Sequence, residues 1–164
     1  MEEEWASVEL SLGPAARAAL AERGWSSERR VDIADHASRL SRLGYRLDDR
    51  TIEVLASLVG LRVGPVVVRG VDFQNDEPFI VDPLGVGTRN RDECQRLERM
   101  FGTTFSPLGW WLCRSHVYFG ASGLVVAALP GVIWHLGDTL DEAIEFMLSA
   151  NRPLVRLLSM DDLE

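Results

Sequence analysis

The 164-residue chain contains no lysine; all 17 of its fixed cations are arginines. Chemistry that runs through an amine is thereby excluded, both the Schiff base and the phosphate-loop lysine. Positive charge is short overall, with 25 acids giving a net charge of −8. A nucleic-acid surface must neutralise phosphates, so no nucleic-acid partner is expected. There are two cysteines, Cys94 and Cys113, in neither a CxxC nor a metal-ligand spacing. Their pairing is not deducible, and a reduced pair is the reading preferred. Long apolar runs are also missing. The most apolar stretch, 124–134, is too short to span a bilayer and is broken by Pro130 and Gly131. Met1-Glu2-Glu3-Glu4 carries the opposite charge from a signal peptide. A cytoplasmic protein with no membrane partner is therefore expected.

Catalytic vocabulary is missing as well. The chain has no HExxH, no GxSxG and no HxE…PCxxC deaminase pattern. Gly85-Val86-Gly87 lacks the third glycine of a dinucleotide loop. His36, His116 and His135 are far apart in sequence. His36 falls beside the polar face of a helix and reads as exposed, and His135 at a strand end reads as structural. Cys94 falls on the apolar stripe of a helix and reads as a buried, inert thiol. No cofactor, metal ligand or catalytic residue is assigned.

What is present suits one soluble domain with a real core, 46% hydrophobic and 26% charged. Pro14 and Gly24 bracket a helix over 15–23. Apolar spacing marks further helices over 32–43, 48–59 and 90–101, the first two stopped by Gly44 and Gly60. Strands are expected at 61–63, 66–68, 79–81, 110–112, 117–119, 124–129 and 132–134. A last helix starts near Asp138, where Thr139 and Glu142 have capping-box spacing. Residues 153–164 read as a short acidic tail. The order gives an α+β class: one domain over 1–164, a mostly antiparallel sheet, N-terminal helices, and a closing C-terminal helix.

Charge placement carries the functional signal. Residues 137–164 hold seven acids against Arg152 and Arg156, which is −5 of the −8. Asp138, Asp141, Glu142 and Glu145 form an acidic ridge with no cation of its own, and Asp141 and Glu145 stand at a repulsive i,i+4 spacing. Such a ridge is either a solvated helix face or a docking surface for a basic partner. Asp72, Asp76, Glu77 and Asp82 make a second cluster with the same two readings. Trp110 and Trp111 are adjacent, so a strand sends them to opposite faces. One is expected in the core, and an exposed one would anchor an interface. The candidate contact residues are thus Asp138, Asp141, Glu142, Glu145, Asp72, Asp76, Glu77, Trp110 and Trp111.

Several words stand in an order that resembles SUKH immunity proteins of the actinobacterial third group. They are Gly24-Trp25, Arg29-Arg30-Val31-Asp32, Leu40…Gly44-Tyr45 and Gly60-Leu61-Arg62-Val63. Phe79…Asp82-Pro83, Phe105-Ser106-Pro107-Leu108-Gly109 and the run from Leu136 to Ile144 follow, so that the resemblance covers 18–150. Val59 replaces a glycine of the pattern, and the stretch from Ala121 to Val126 is more apolar than its counterpart. The resemblance implies a non-enzymatic α+β domain that binds and blocks a cognate polymorphic toxin, often a nuclease or nucleic-acid deaminase. It assigns no catalytic residues. The implied partner is a basic toxin domain, with the protein itself a monomer or weak dimer. A regulatory or scaffold domain without a toxin is the alternative, and a small enzyme with a site assembled in space is a third reading. The absence of lysine is then read as the coding bias of a GC-rich genome.

Overall fold

A computed structural model of the chain describes residues 7–66 and 75–158. Three helices come first: α1 (Pro14–Glu22), α2 (Ala34–Arg42) and α3 (Asp49–Leu58). Each lies within two residues of its expected bounds. α1 and α2 end by the same device. Gly24 and Gly44 adopt φ of +92° and +95°, open to glycine at little cost. The following aromatic N–H then bonds back to the carbonyl five residues earlier, Trp25 to Leu20 and Tyr45 to Leu40, both at 3.1 Å. Both rings enter the core. Their polar tips find partners there: Trp25 Nε1 donates to Ser57 Oγ at 3.0 Å and the Tyr45 hydroxyl to the Gly87 carbonyl at 2.8 Å. Arg29 links this layer to the end of α3, donating to the carbonyls of Ser57 at 2.5 Å and Val59 at 2.8 Å.

The remainder is a seven-stranded antiparallel meander in sequence order. Its strands are β1 (Arg62–Val63), β2 (Phe79–Ile80), β3 (Phe105–Trp111), β4 (Ser115–Gly120), β5 (Val125–Leu129), β6 (Val132–Gly137) and β7 (Val155–Leu158). Between β2 and β3 lie α4 (Pro83–Gly87) and α5 (Arg91–Phe101); α6 (Leu140–Ser149) follows β6. The α+β class and the closing helix are as the sequence implied. Helices cover both faces. Trp111 packs on Trp134 and on Phe146 of α6, with ring centroids 6.3 and 5.6 Å apart. On the opposite face His116 and Tyr118 of β4 both reach Glu93 of α5. Every residue from Val125 to Ala128 is fully buried, as a central strand covered on both sides requires.

Four departures from the expected elements have physical causes. α4 is only five residues long with two glycines; Asp82 caps it by accepting from Gly85 N at 2.9 Å, and Pro83 fills its first turn. β3 begins five residues early because Pro107 sits at a bulge beside Gly109, where no ladder hydrogen bond is required. A side chain at Gly109 would stand 1.8 Å from the Ile80 carbonyl oxygen, so only glycine lets β2 approach. β7 forms from the supposed tail, on the edge offered by β6, with Leu154 and Leu157 packed against the core. Val66 belongs to no strand and instead donates to the Leu148 carbonyl at 2.7 Å, while 67 and 68 lie outside the described residues. His36 is half-buried rather than exposed. No helix among the described residues is long and apolar enough to cross a membrane.

Candidate partner-binding site

The acidic ridge sits at the start of α6. Thr139 caps the helix by accepting from Glu142 N at 3.2 Å. The Glu142 carboxylate reaches one residue past the cap, to Asp138 N at 3.0 Å. This is a capping box displaced by one position: it satisfies one of the four orphan donors of the helix end, Glu142 N, and the amide just before the cap, Asp138 N. Acids in this turn also face the positive end of the helix dipole.

The four ridge carboxylates then divide into two pairs. Asp141 and Glu145 are half-buried and turn toward the segment that enters α1, accepting from Ser11 N at 2.9 Å and Gly13 N at 3.1 Å. Their repulsive spacing is explained by that task. Two consecutive turns of α6 present two acceptors to two amides of one extended segment. Asp138 and Glu142 are exposed. Asp138 uses Oδ1 to accept from His135 Nε2 at 2.8 Å, which fixes the imidazole proton on that nitrogen when the ring is neutral.

The ridge is not without a cation. Arg152 lies over the Phe146 ring, 3.9 Å from its centroid, and donates to the Leu136 carbonyl. Burial lowers its pKa, while Glu142 and Asp138 act in the opposite direction. Arg50 also lines a cleft with Thr139 and Asp141, so two guanidinia stand near four carboxylates and the acids outnumber the cations.

Of the second cluster, Asp72 lies outside the described residues. Glu77 accepts from Cys113 N at 2.6 Å, and Asp82 holds both Gly85 N and, at 3.3 Å, Trp110 Nε1. Asp76 is exposed. Its neighbour Asn75 donates to the Met147 carbonyl at 2.5 Å, which places Asp76 by the last turn of α6. Asp76 and Asp138 therefore stand at the two ends of one helix, about 14 Å apart along its axis from Asp138 to Met147 at 1.5 Å per residue, whereas Asp82, bonded to Trp110, lies on the other face of the sheet. Trp111, 2% exposed, is a core residue and is withdrawn from the contact candidates. Trp110 is half-buried on the other face, edge-on to His116 at 5.1 Å, with the Arg114 guanidinium 5.9 Å from its ring.

Two histidines do stand beside carboxylates, which sequence distance concealed. Glu93 Oε1 meets His116 Nδ1 at 2.7 Å and accepts from the Tyr118 hydroxyl at 2.8 Å. Burial, helped by Glu93, raises the Tyr118 pKa, so it remains a neutral donor. Neither His116 nor His135 lines the clefts described on the surface, which lie at Arg29, at Arg46, at Asp48 and at Ile33. Cys94 is fully buried and its thiol is pushed up to about 12, chiefly by desolvation; Cys113 is exposed, and both are free. One feature was overlooked in the sequence. Arg91, Gln95 and Arg99 recur every four residues along α5 and face Arg46 across a cleft.

Among known families, the chain matches the one described as SUKH-3 immunity protein, over residues 12–150. No significant match was found among curated proteins or among solved structures.

Proposed function

The chain belongs to the SUKH-3 immunity protein family, and from that premise we infer that it binds a cognate polymorphic toxin in the cytoplasm and occludes its active site. The family match over most of the chain carries this reading. The charge distribution supports its finer parts. Asp138 and Glu142 at one end of α6, and Asp76 at the other, are exposed acids on a negative surface. A toxin domain that acts on nucleic acid, whether nuclease or deaminase, carries a basic groove to hold phosphates. An acidic helix flank covers such a groove, steers the encounter and disfavours acidic partners. The immunity protein acts as a monomer or weak dimer and carries out no chemistry on the toxin.

The test is co-expression with a candidate cognate toxin domain. The triple variant D76K/D138K/E142K, folded by circular dichroism, should lose protection and bind at least tenfold more weakly at low salt. Wild-type affinity should fall as salt rises. Full protection by the folded triple variant, with binding indifferent to salt, would place the contact elsewhere.

A further inference from the structure

The cleft between the α2–α3 connection and α5 has a volume of about 440 Å3 and is lined by Arg46, Arg91, Arg99, Gln95, Thr103 and Thr104, with one acid, Glu98. That acid is fully engaged. Its Oε1 lies 3.0 Å from Arg91 Nη1, and its Oε2 accepts from Phe105 N at 3.0 Å. Arg91 is fixed further by the Tyr45 ring, 4.9 Å from its guanidinium. Arg91 and Glu98 thus cancel and build the floor. Arg46 and Arg99 are exposed at the rim, and neither forms an ion pair with a described residue.

In a chain of net charge −8, two uncompensated guanidinia sharing one cleft are a local reversal of sign. Each is a planar fork matched to two oxygens of a tetrahedral oxyanion. Gln95, Thr103 and Thr104 add neutral donors. Two unbalanced positive charges match a phosphomonoester, which carries about −1.5 to −2 at neutral pH, better than the single charge of a carboxylate. We propose that this cleft binds the phosphoryl group of a small phosphomonoester, with Arg46 and Arg99 as its charged clamps. The site uses none of the acids assigned to the toxin, so the two readings stand or fall separately.

The experiment follows amide and arginine Nε resonances of the whole chain by 1H–15N NMR. The chain is titrated at constant ionic strength with inorganic phosphate, glycerol 3-phosphate or acetate. Saturable shifts are expected at Gly102, Thr103, Thr104 and the Nε of Arg46 and Arg99, with acetate at least tenfold weaker than either phosphate. Tighter binding of glycerol 3-phosphate would assign an organic ester; equal affinity would assign the free anion. R46A/R99A, or R46Q/R99Q if the first is unstable, should weaken phosphate at least tenfold and leave the core spectrum intact. Linear shifts spread over all arginines, an equal response to acetate, or unchanged affinity in the double variant would overturn the proposal.

Discussion

The division of the ridge into anchoring and exposed acids is testable through stability alone. Asp141 and Glu145 each accept one backbone N–H of the segment before α1. Hydrogen bonds to charged groups contribute about 1.5–3 kcal/mol net. The Asp141 bond is exposed, so about 1 kcal/mol is a fairer figure there, against about 1.5 for half-buried Glu145. Removing the pair also relieves a like-charge i,i+4 repulsion of about 0.2–0.5 kcal/mol. The double variant D141A/E145A should thus lose about 2 kcal/mol, which in a domain of this size lowers Tm by about 4–8 °C. D141N/E145Q should lose about half as much, because the amide oxygens still accept from Ser11 and Gly13 but without charge. The two sites hold one segment, so the single losses should not add; once one amide is released, the other anchor holds less. Hydrogen exchange provides the local readout, with protection lost at Ser11, Gly13 and the first turn of α1 while the sheet amides keep theirs. D138K/E142K should leave Ser11 and Gly13 protected. A double alanine variant with wild-type Tm and wild-type protection at those amides would refute the anchoring role. All four acids would then return to the docking surface.

Other outcomes follow from the same packing. Trp111→Ala removes a fully buried ring from the contact with Trp134 and Phe146 and should cost about 3–5 kcal/mol, read as a shifted urea midpoint. Trp110→Ala should cost distinctly less, since that ring is half-buried and its loss frees only one oxygen of Asp82. Arg29→Ala leaves the Ser57 and Val59 carbonyls without their guanidinium and should destabilise by about 2–3 kcal/mol, while Arg29→Lys, lacking the fork, recovers only part of that. In the native protein Cys113 should react with a thiol reagent at pH 8, and Cys94 should react only after unfolding. The Cys94 thiol is raised in the folded state from 9.0 to about 12, so unfolding releases its proton once pH exceeds the lower value. Stability should therefore decline from about pH 9 upward, and Cys94→Ala should remove the part of that decline which precedes tyrosine ionisation, as denaturant titrations from pH 8 to 10.5 would show.

What could be read from sequence follows how local each cause is. Gly24-Trp25 and Gly44-Tyr45 were visible because a helix stop needs only a glycine and an apolar residue after it, and the chain settles the matter within six residues. The opposite orientation of Trp110 and Trp111 followed from the strand period alone. β7 was not visible, because the alternation Val155-Arg156-Leu157 is too short to mark a strand, and the edge of β6 is what makes Val155–Leu158 one. α4 had one local signal, Asp82-Pro83, set against two glycines of poor helix propensity. The ridge showed the same limit from the functional side. Its charge could be counted, but the donors that Asp141 and Glu145 serve lie 130 and 132 residues away and are backbone groups, which no residue type announces. Arg91, Gln95 and Arg99 were legible as a stripe, whereas Arg46 opposite them was not.

The words that carry the family resemblance prove to be mostly devices of the fold. Trp25 and Tyr45 seal helix ends, Arg29 bonds carbonyls at the end of α3, Gly109 admits β2, and Thr139 with Glu142 caps α6. A chain that keeps them keeps the domain, and they say little about which toxin it meets. Asp138 and Glu142 are the two among them for which a partner contact is proposed, and a carboxylate has two oxygens to serve both tasks. Asp138 spends Oδ1 on His135 and Glu142 spends Oε2 on Asp138 N, so each of these exposed carboxylates is held through one oxygen. A side chain already fixed in this way loses less rotamer freedom on contact, and for a long side chain that entropy is of order 1 kcal/mol. Capping and the docking role proposed for these residues therefore need not compete: the intramolecular bond that orders the helix end also restricts the carboxylate that a partner would meet.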